Sequence, residues 1–282
     1  MEYSFDHIAD TAFWVAAFRA KESERTDAAF SDRLAGKLAG DRGAKMVDIT
    51  PNADMMHFSI IVRTTAIDRL VEIAIANGVD TVINLGAGLD TRPYRLSLPV
   101  ELNWIEVDFA DIVNYKDAIL ADEQPVCKLR RIAADLSNDG ERKALFATLG
   151  SQAKKALILT EGLVCYLEND AAAQLSKDLF IIPTFHYWVQ EYLNGGYDSR
   201  YSKKRLKLME NTPLRFTIAD PVKFFKNDGW KVSENIYMLD EGNRIHRTMP
   251  FSFPWNVFAW LFPKKIYEGV NKKFGIVMLE RD

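Results

Sequence analysis

Apolar positions recur along this chain at two different periods, and the change of period marks its organisation. From Thr11 to Glu24 the spacing is helical, with Trp14 and Phe18 four apart on one face and Thr11 placed as an N-cap. Ala28–Ala39 predicts a second, short helix that stops at Gly40. A long helix is predicted from Ala53 to Ala76, ended by the C-cap signal Asn77-Gly78. Short apolar runs then alternate with helical stretches. Thr81–Leu85, Trp104–Val107, Leu129–Ala133, Ala156–Leu159 and Phe185–Val189 read as strands; Ile112–Leu120, Gly140–Leu149 and Ala171–Leu179 read as helices between them. Strand, helix, strand at this spacing predicts parallel strands joined by crossovers, and the unbroken apolar runs fit strands buried on both faces.

The pattern changes again after the fifth strand. Gly195–Thr212 is polar and basic, with Lys203, Lys204, Arg205 and Lys207, and reads as a substrate-facing excursion or a solvated helix. Asp220–Asn227 predicts a helix, and Val232–Leu239 and Phe274–Leu279 predict two further strands. Pro250–Phe262 is apolar and aromatic, a candidate lid or interface, and too short to span a bilayer.

Composition narrows this picture little. The 282 residues, 48% of them hydrophobic, make one domain or a domain with a cap. A net charge of −3 argues against broad nucleic-acid binding. Two distant cysteines, Cys127 and Cys165, offer neither a zinc spacing nor a disulfide framework, so no metal is expected and a reduced compartment fits best. Glu2, Asp6 and Asp10 stand where a secretory leader would carry a basic region, so the expected location is cytoplasmic.

The candidate chemistry sits in VINLGAGLDTRPYRL, where a buried strand runs into Gly86-Ala87-Gly88. Glycines at a strand's carboxyl end allow a tight turn and a close ligand approach. Asp108, twenty residues after Gly88 at the end of the next strand, is placed to accept from both hydroxyls of a ribose; helix capping is the alternative. A dinucleotide fingerprint needs a third glycine where this chain has Thr91, and Asp90 would repel a pyrophosphate. S-adenosylmethionine has no phosphate and carries an ammonium group, so the loop favours it over NAD. Arg63 falls within the apolar stripe of the long helix formed by Met56, Ile60, Ile67, Leu70, Val71 and Ala74. A guanidinium there needs an anion, either the cofactor's methionine carboxylate or a structural partner such as Asp90 or Asp68.

These residues resemble the leucine carboxyl methyltransferase family, including its bacterial branch associated with polyketide O-methylation. The resemblance runs from about Thr11 to Leu167, on TAFWVAAFRAKESE, the helix around Arg63–Asp68, NLGAGLDTRPYRL, IEVDF, AADL and TEGLVCYL. It implies an α/β class I methyltransferase fold with strand order 3-2-1-4-5-7-6, the last strand antiparallel. A helical cap would occupy 1–77 and the catalytic core 78–282, with an insertion near 193–219. Carried over, Lys21 and Arg63 approach the methionine carboxylate and Gly86 lies against the methionine backbone. Asp108 holds the ribose, Asp135 and Leu136 contact adenine, and Glu161 lies near the amino group or the transferred methyl. Ala87, Gly88, Asp90, Phe109 and Gly162 complete the expected cofactor set. After Leu167 the likeness fades: IIPTFHYWVQEYL lacks the glycine and the strand-end aspartate common in the family.

The implied reaction is methyl transfer to a small-molecule oxygen acceptor. A carboxylate acceptor is already ionised and needs no base, only an orienting group, for which Arg19, Tyr166, Tyr192 and Arg244 are candidates. A phenol or hydroxyl acceptor needs a base, with His186 and His246 first in line. A NAD-dependent oxidoreductase and a non-catalytic cofactor-binding protein are the competing classes.

Overall fold

The computed structural model describes residues 8–194, 211–251 and 273–281, together with 257, 261, 264, 267, 269 and 271. Residues 195–210, with the basic cluster, and most of Pro250–Phe262 lie outside the described residues.

Three helices come first: α1 (Ile8–Ser23), α2 (Ala35–Asp48) and α3 (Ala53–Ala76). Then follow β1 (Thr81–Leu85), α4 (Arg92–Arg95), β2 (Asn103–Asp108), α5 (Ala110–Ile119), β3 (Lys128–Ala133), α6 (Asp139–Gln152) and β4 (Ala156–Leu159). After a 3-10 turn, Val164–Tyr166, come α7 (Asn169–Phe180), β5 (Phe185–Leu193), α8 (Pro221–Lys226), β6 (Lys231–Tyr237), α9 (Met238–Arg244) and β7 (Phe274–Glu280). The strands form one seven-stranded sheet in the order β3-β2-β1-β4-β5-β7-β6. All neighbours from β3 to β5 are parallel, and β7 runs antiparallel between β5 and β6.

Each face of the sheet has its own apolar layer. Val82, Trp104, Leu157, Val189, Ile276 and Met278 pack beneath Ala66, Ile67, Leu70, Val71 and Ala74 of α3. Ile83, Ile105, Ile158 and Trp188 pack on the opposite face against Phe146, Leu175, Leu179 and Phe225 of α6, α7 and α8. Burying strands on both sides is what made them read as continuous apolar runs. A third cluster joins α1 and α2 to Ile60 and Ile61 of α3, Leu89 of the loop after β1, and Ile112 of α5. It holds the N-terminal helices over the carboxyl ends of β1 and β2.

Four sequence expectations are corrected. Helix α1 starts at Ile8, so Thr11 lies inside it and is not its cap. Residues 28–34 form turns, and α2 passes through Gly40, which kinks it at φ 53° and ψ −165° instead of ending it. The expected strand Val232–Leu239 turns helical at Met238. The fifth strand runs on to Leu193, four residues past the predicted end, and this carries Glu191 into the ladder.

Candidate cofactor site

The cleft lies at the carboxyl ends of β1, β2 and β4, roofed by α1. Its walls are Asn84, Gly86–Asp90, Asp108, Phe109, Ile112 and Glu161–Leu163 from the sheet side, Thr11, Ala12, Val15 and Arg19 from α1, and Arg63 from α3. Open parallel sheets bind ligands at this edge because the strands' carboxyl ends feed into loops there. Gly86 and Gly88 hold φ of 67° and 49°, and a Cβ at either would stand 3.2 Å from Leu163 Cδ1 or Ala12 Cβ. The turn therefore has both a conformational and a steric need for glycine.

Asp108 ties this turn to β2. Its Oδ2 accepts from Gly88 N at 2.6 Å and its Oδ1 from Phe109 N at 2.8 Å. Burial pushes its carboxyl up, against the pull of those two amides and Lys116. Each oxygen keeps a lone pair free for a ligand hydroxyl. Neither oxygen accepts from an amide within α5 among the described residues. Asn84, a polar residue in an otherwise apolar strand, donates from Nδ2 to Asp90 at 2.8 Å. Its buried Oδ1 has no partner among the described residues, and Asn84 is one of the residues lining the cleft.

Behind the lining runs a chain of ion pairs. Arg19 meets Asp32 at 3.0 Å, Arg95 lies 3.9 Å from the same Asp32, and Arg95 and Arg92 share Asp68 at 2.7 and 2.6 Å. Arg92, fully buried, also reaches Asp90 at 3.1 Å and Glu161 at 2.8 Å. Glu161 then takes Arg63 Nε at 2.8 Å, and Arg63 lies 3.8 Å from Glu191. Burial would raise both Asp90 and Glu161. Arg92 overrides it and holds Asp90 far below the usual carboxylate range, while Arg92 and Arg63 lower Glu161. Glu191 is different: burial pushes it up, Arg63 only partly offsets this, and Glu161 adds to the rise.

The predicted site residues divide accordingly. Arg19, Arg63, Gly86, Ala87, Gly88, Asp90, Asp108, Phe109, Glu161 and Gly162 all line the cleft. Arg63 is not paired with Asp90 or Asp68; Glu161 is its partner, and among the described residues no hydrogen bond occupies its terminal nitrogens. Asp90 is committed to Asn84 and Arg92, so it braces the turn and is not a free counter-ion for an ammonium. Lys21 is exposed at the last turn of α1, and Asp135 and Leu136 follow β3 outside the lining, Asp135 accepting from Ser137 N at 2.9 Å.

The expected acceptor-side residues fare worse. Tyr192 is buried in the core, its hydroxyl donating to Asn235 of β6 at 2.9 Å and pushed up to about 12 by burial. Tyr166 stays outside the lining but shares a hydrogen bond with Thr11, which is in it. His186 begins β5, at the opposite edge of the sheet from the cleft. His246 is exposed beyond α9, and Arg244 is paired with Glu241. None of these three is among the described residues that line the cleft. Asn84, Arg92, Asp32, Asp68 and Glu191 were missed as site-forming residues. The one available signal was polar side chains inside apolar strands, at Asn84 and at Gln190-Glu191.

The sheet order, its antiparallel β7 and a cleft at the β1–β2–β4 edge define the class I methyltransferase fold. Two solved structures share it: a DUF574 family protein from Streptomyces avermitilis (14% identity, 95% of this chain and 97% of that one, TM-score 0.56) and an O-methyltransferase family protein from Burkholderia thailandensis (14%, 100% and 74%, TM-score 0.51). The family model for leucine carboxyl methyltransferases matches residues 12–180, and the chain belongs to that family. A proposed S-adenosyl-L-methionine-dependent methyltransferase of Rhodococcus jostii is 30% identical over 79% of this chain and 82% of its own length. Another, from Streptomyces coelicolor, is 38% identical over 58% of this chain and 62% of its own. The chain thus matches less than two thirds of the length of such higher-identity relatives.

Proposed function

We propose that this protein is an S-adenosylmethionine-dependent O-methyltransferase whose acceptor is a small carboxylic acid. The observation that carries the cofactor reading is the donor and acceptor set around the glycine turn. Asp108 offers two oxygens to a diol, Arg63 offers its terminal nitrogens to a carboxylate, and Asn84 Oδ1 is a buried acceptor for an ammonium. Gly86 and Gly88 leave the room a side chain would fill. Phe109, exposed at the rim, offers a face to adenine in the direction of Asp135 and Leu136. Residues 1–77 act as the cap, since α1 supplies one wall of the cleft and Arg63 of α3 its charged end. The family and its relatives' names support the same cofactor.

When bound, the cofactor would supply an electrophilic methyl to the acceptor oxygen, with the electron pair of the broken sulfur–methyl bond left on sulfur. The protein's own part is to hold, align and dry. Arg92 fixes Glu161 and Asp90, and Asp108 fixes the glycine turn, so the cofactor's two ends meet rigid partners. Among the described lining residues there is no histidine, which suits an acceptor ionised before it binds. The test is transfer of tritiated methyl from S-adenosylmethionine to panels of carboxylic acids and of phenols. The reading expects label in base-labile methyl esters; label only in base-stable ethers would contradict the carboxylate acceptor and keep the cofactor.

A further inference from the structure

The ion-pair chain behind the cleft does not balance. Arg19, Arg63, Arg92 and Arg95 stand against Asp32, Asp68, Asp90, Glu161 and Glu191, every member linked to the next within 4.0 Å. Among the described residues, one carboxylate of this chain of pairs has no guanidinium of its own, in surroundings where an uncompensated charge is costly. The ends of the chain identify it. Asp32, Asp68, Asp90 and Glu161 each touch an arginine at hydrogen-bond distance, whereas Glu191 is 3.8 Å from Arg63. Glu191 Oε1 accepts from Gly162 N at 2.8 Å, and its Oε2 is buried with no hydrogen-bond partner among the described residues. Gly162 and Arg63 are cleft walls, so Glu191 sits one layer behind the place where β4 ends.

We propose that Glu191 is the residue by which the site prefers the sulfonium form of the cofactor over the thioether left after transfer. The inference rests on the cofactor assignment above. S-adenosylmethionine carries one carboxylate, one ammonium and one sulfonium, a net charge of +1; S-adenosylhomocysteine lacks the sulfonium and is neutral overall. The positive ligand completes the five-against-four inventory, and the neutral one leaves it short. Before the cofactor arrives, a proton on Glu191 balances the chain. Binding of the sulfonium form displaces that proton to solvent, and after methyl transfer the charge deficit returns, which favours release of the product.

The groups facing Glu191 agree with this. Arg63 comes from α3, Glu161, Gly162 and Tyr166 come from the segment after β4, and on β7 its ladder partner is the apolar Ile276. Arg63 is the one cation in this set, and Glu161 already holds it by a hydrogen bond. Burial and Glu161 both raise the Glu191 carboxyl above its ordinary value, and Arg63 only partly offsets them. Glu191 is a positioning residue for charge and makes no contact with the transferred methyl.

Two measurements test it. In wild-type protein, calorimetric titrations in buffers of different ionisation enthalpy, across roughly pH 5 to 7, count protons released on binding. Release is expected with S-adenosylmethionine, growing as the pH falls, and little or none with S-adenosylhomocysteine; equal release with both ligands would overturn the proposal. In Glu191→Gln, where the amide oxygen can still accept from Gly162 N, S-adenosylmethionine affinity is expected to fall about tenfold with S-adenosylhomocysteine affinity nearly unchanged. Equal loss for both, or loss for neither, would likewise overturn it. Failure of the wild type to bind either ligand would instead remove the cofactor assignment itself.

Discussion

The two halves of the sheet are built from opposite materials. Strands β1 and β4 open at their carboxyl ends into glycine turns and β2 ends in Asp108, with a buried ion-pair chain behind them. The β5–β7 half is closed by aromatic packing. Trp188 meets Phe225 at 4.7 Å and Trp230 at 5.5 Å between ring centroids, Trp230 meets Phe180 at 5.2 Å, and Phe216 stacks on Phe225 at 5.8 Å. Aromatic burial is non-directional and stable in itself. A buried chain of charges is directional and holds side chains in fixed positions, at a desolvation cost. The contrast suggests a division of labour, with the charged half kept for positioning a ligand and the aromatic half for holding the sheet together.

Paired substitutions should break this comparison most visibly. Arg92→Leu leaves Asp68, Asp90 and Glu161 without their shared cation and should cost about 3–5 kcal/mol at neutral pH. Trp230→Ala, in the other half, should cost about the same, by cavity formation. Their pH dependence should differ. Asp90 and Glu161 are depressed in the native state, so they stabilise it above their unfolded values near 4 and lose that contribution as pH falls toward the depressed native values. Without Arg92, those acids protonate more readily, and the cost of Arg92→Leu should shrink in acid. The cost of Trp230→Ala should not change with pH. Urea unfolding at several pH values checks both.

A smaller effect is expected at the turn. Gly86→Ala forces a side chain to φ 67° with its Cβ 3.2 Å from Leu163 Cδ1, and should cost about 1–2 kcal/mol in stability. Its effect on S-adenosylhomocysteine affinity should be larger than its effect on unfolding, because the lost space belongs to the ligand. Equal effects would make Gly86 a purely structural glycine. The smallest effect belongs to Lys21. Its exposed ammonium should contribute a few-fold to affinity, and this contribution should vanish at about 0.5 M salt, whereas the Arg63 contribution should persist.

The charged half was the more legible in the sequence. Its strands are short apolar runs, and its glycines and Asp108 stand at spacings set by local geometry, so β1 and β4 begin and end where predicted. The loop's use of Asp90 was not legible. Asp90 looked available to a ligand because its partner, Arg92, stands two residues away, and nothing in spacing says that a guanidinium turns inward. Arg63 was recognised as a buried cation, but its partner Glu161 is 98 residues distant. In the other half, Tyr192 has the same composition-level signature as a pocket tyrosine. Only the antiparallel return of β7 beside β5, and β6 beyond it, puts Asn235 against its hydroxyl. Long-range pairing decided the cases of Arg63 and Tyr192, and the inward turn of a near neighbour decided that of Asp90.

The account stands on a cofactor held between Asp108 and Arg63 on the glycine turn, and calorimetric binding of S-adenosylhomocysteine tests this most directly. Wild-type protein should bind in the micromolar range, and Asp108→Ala and Arg63→Ala should each weaken binding at least about tenfold, or about 1.4 kcal/mol, while remaining folded. Wild-type binding that is indifferent to both substitutions, or absent from a folded protein, would contradict it.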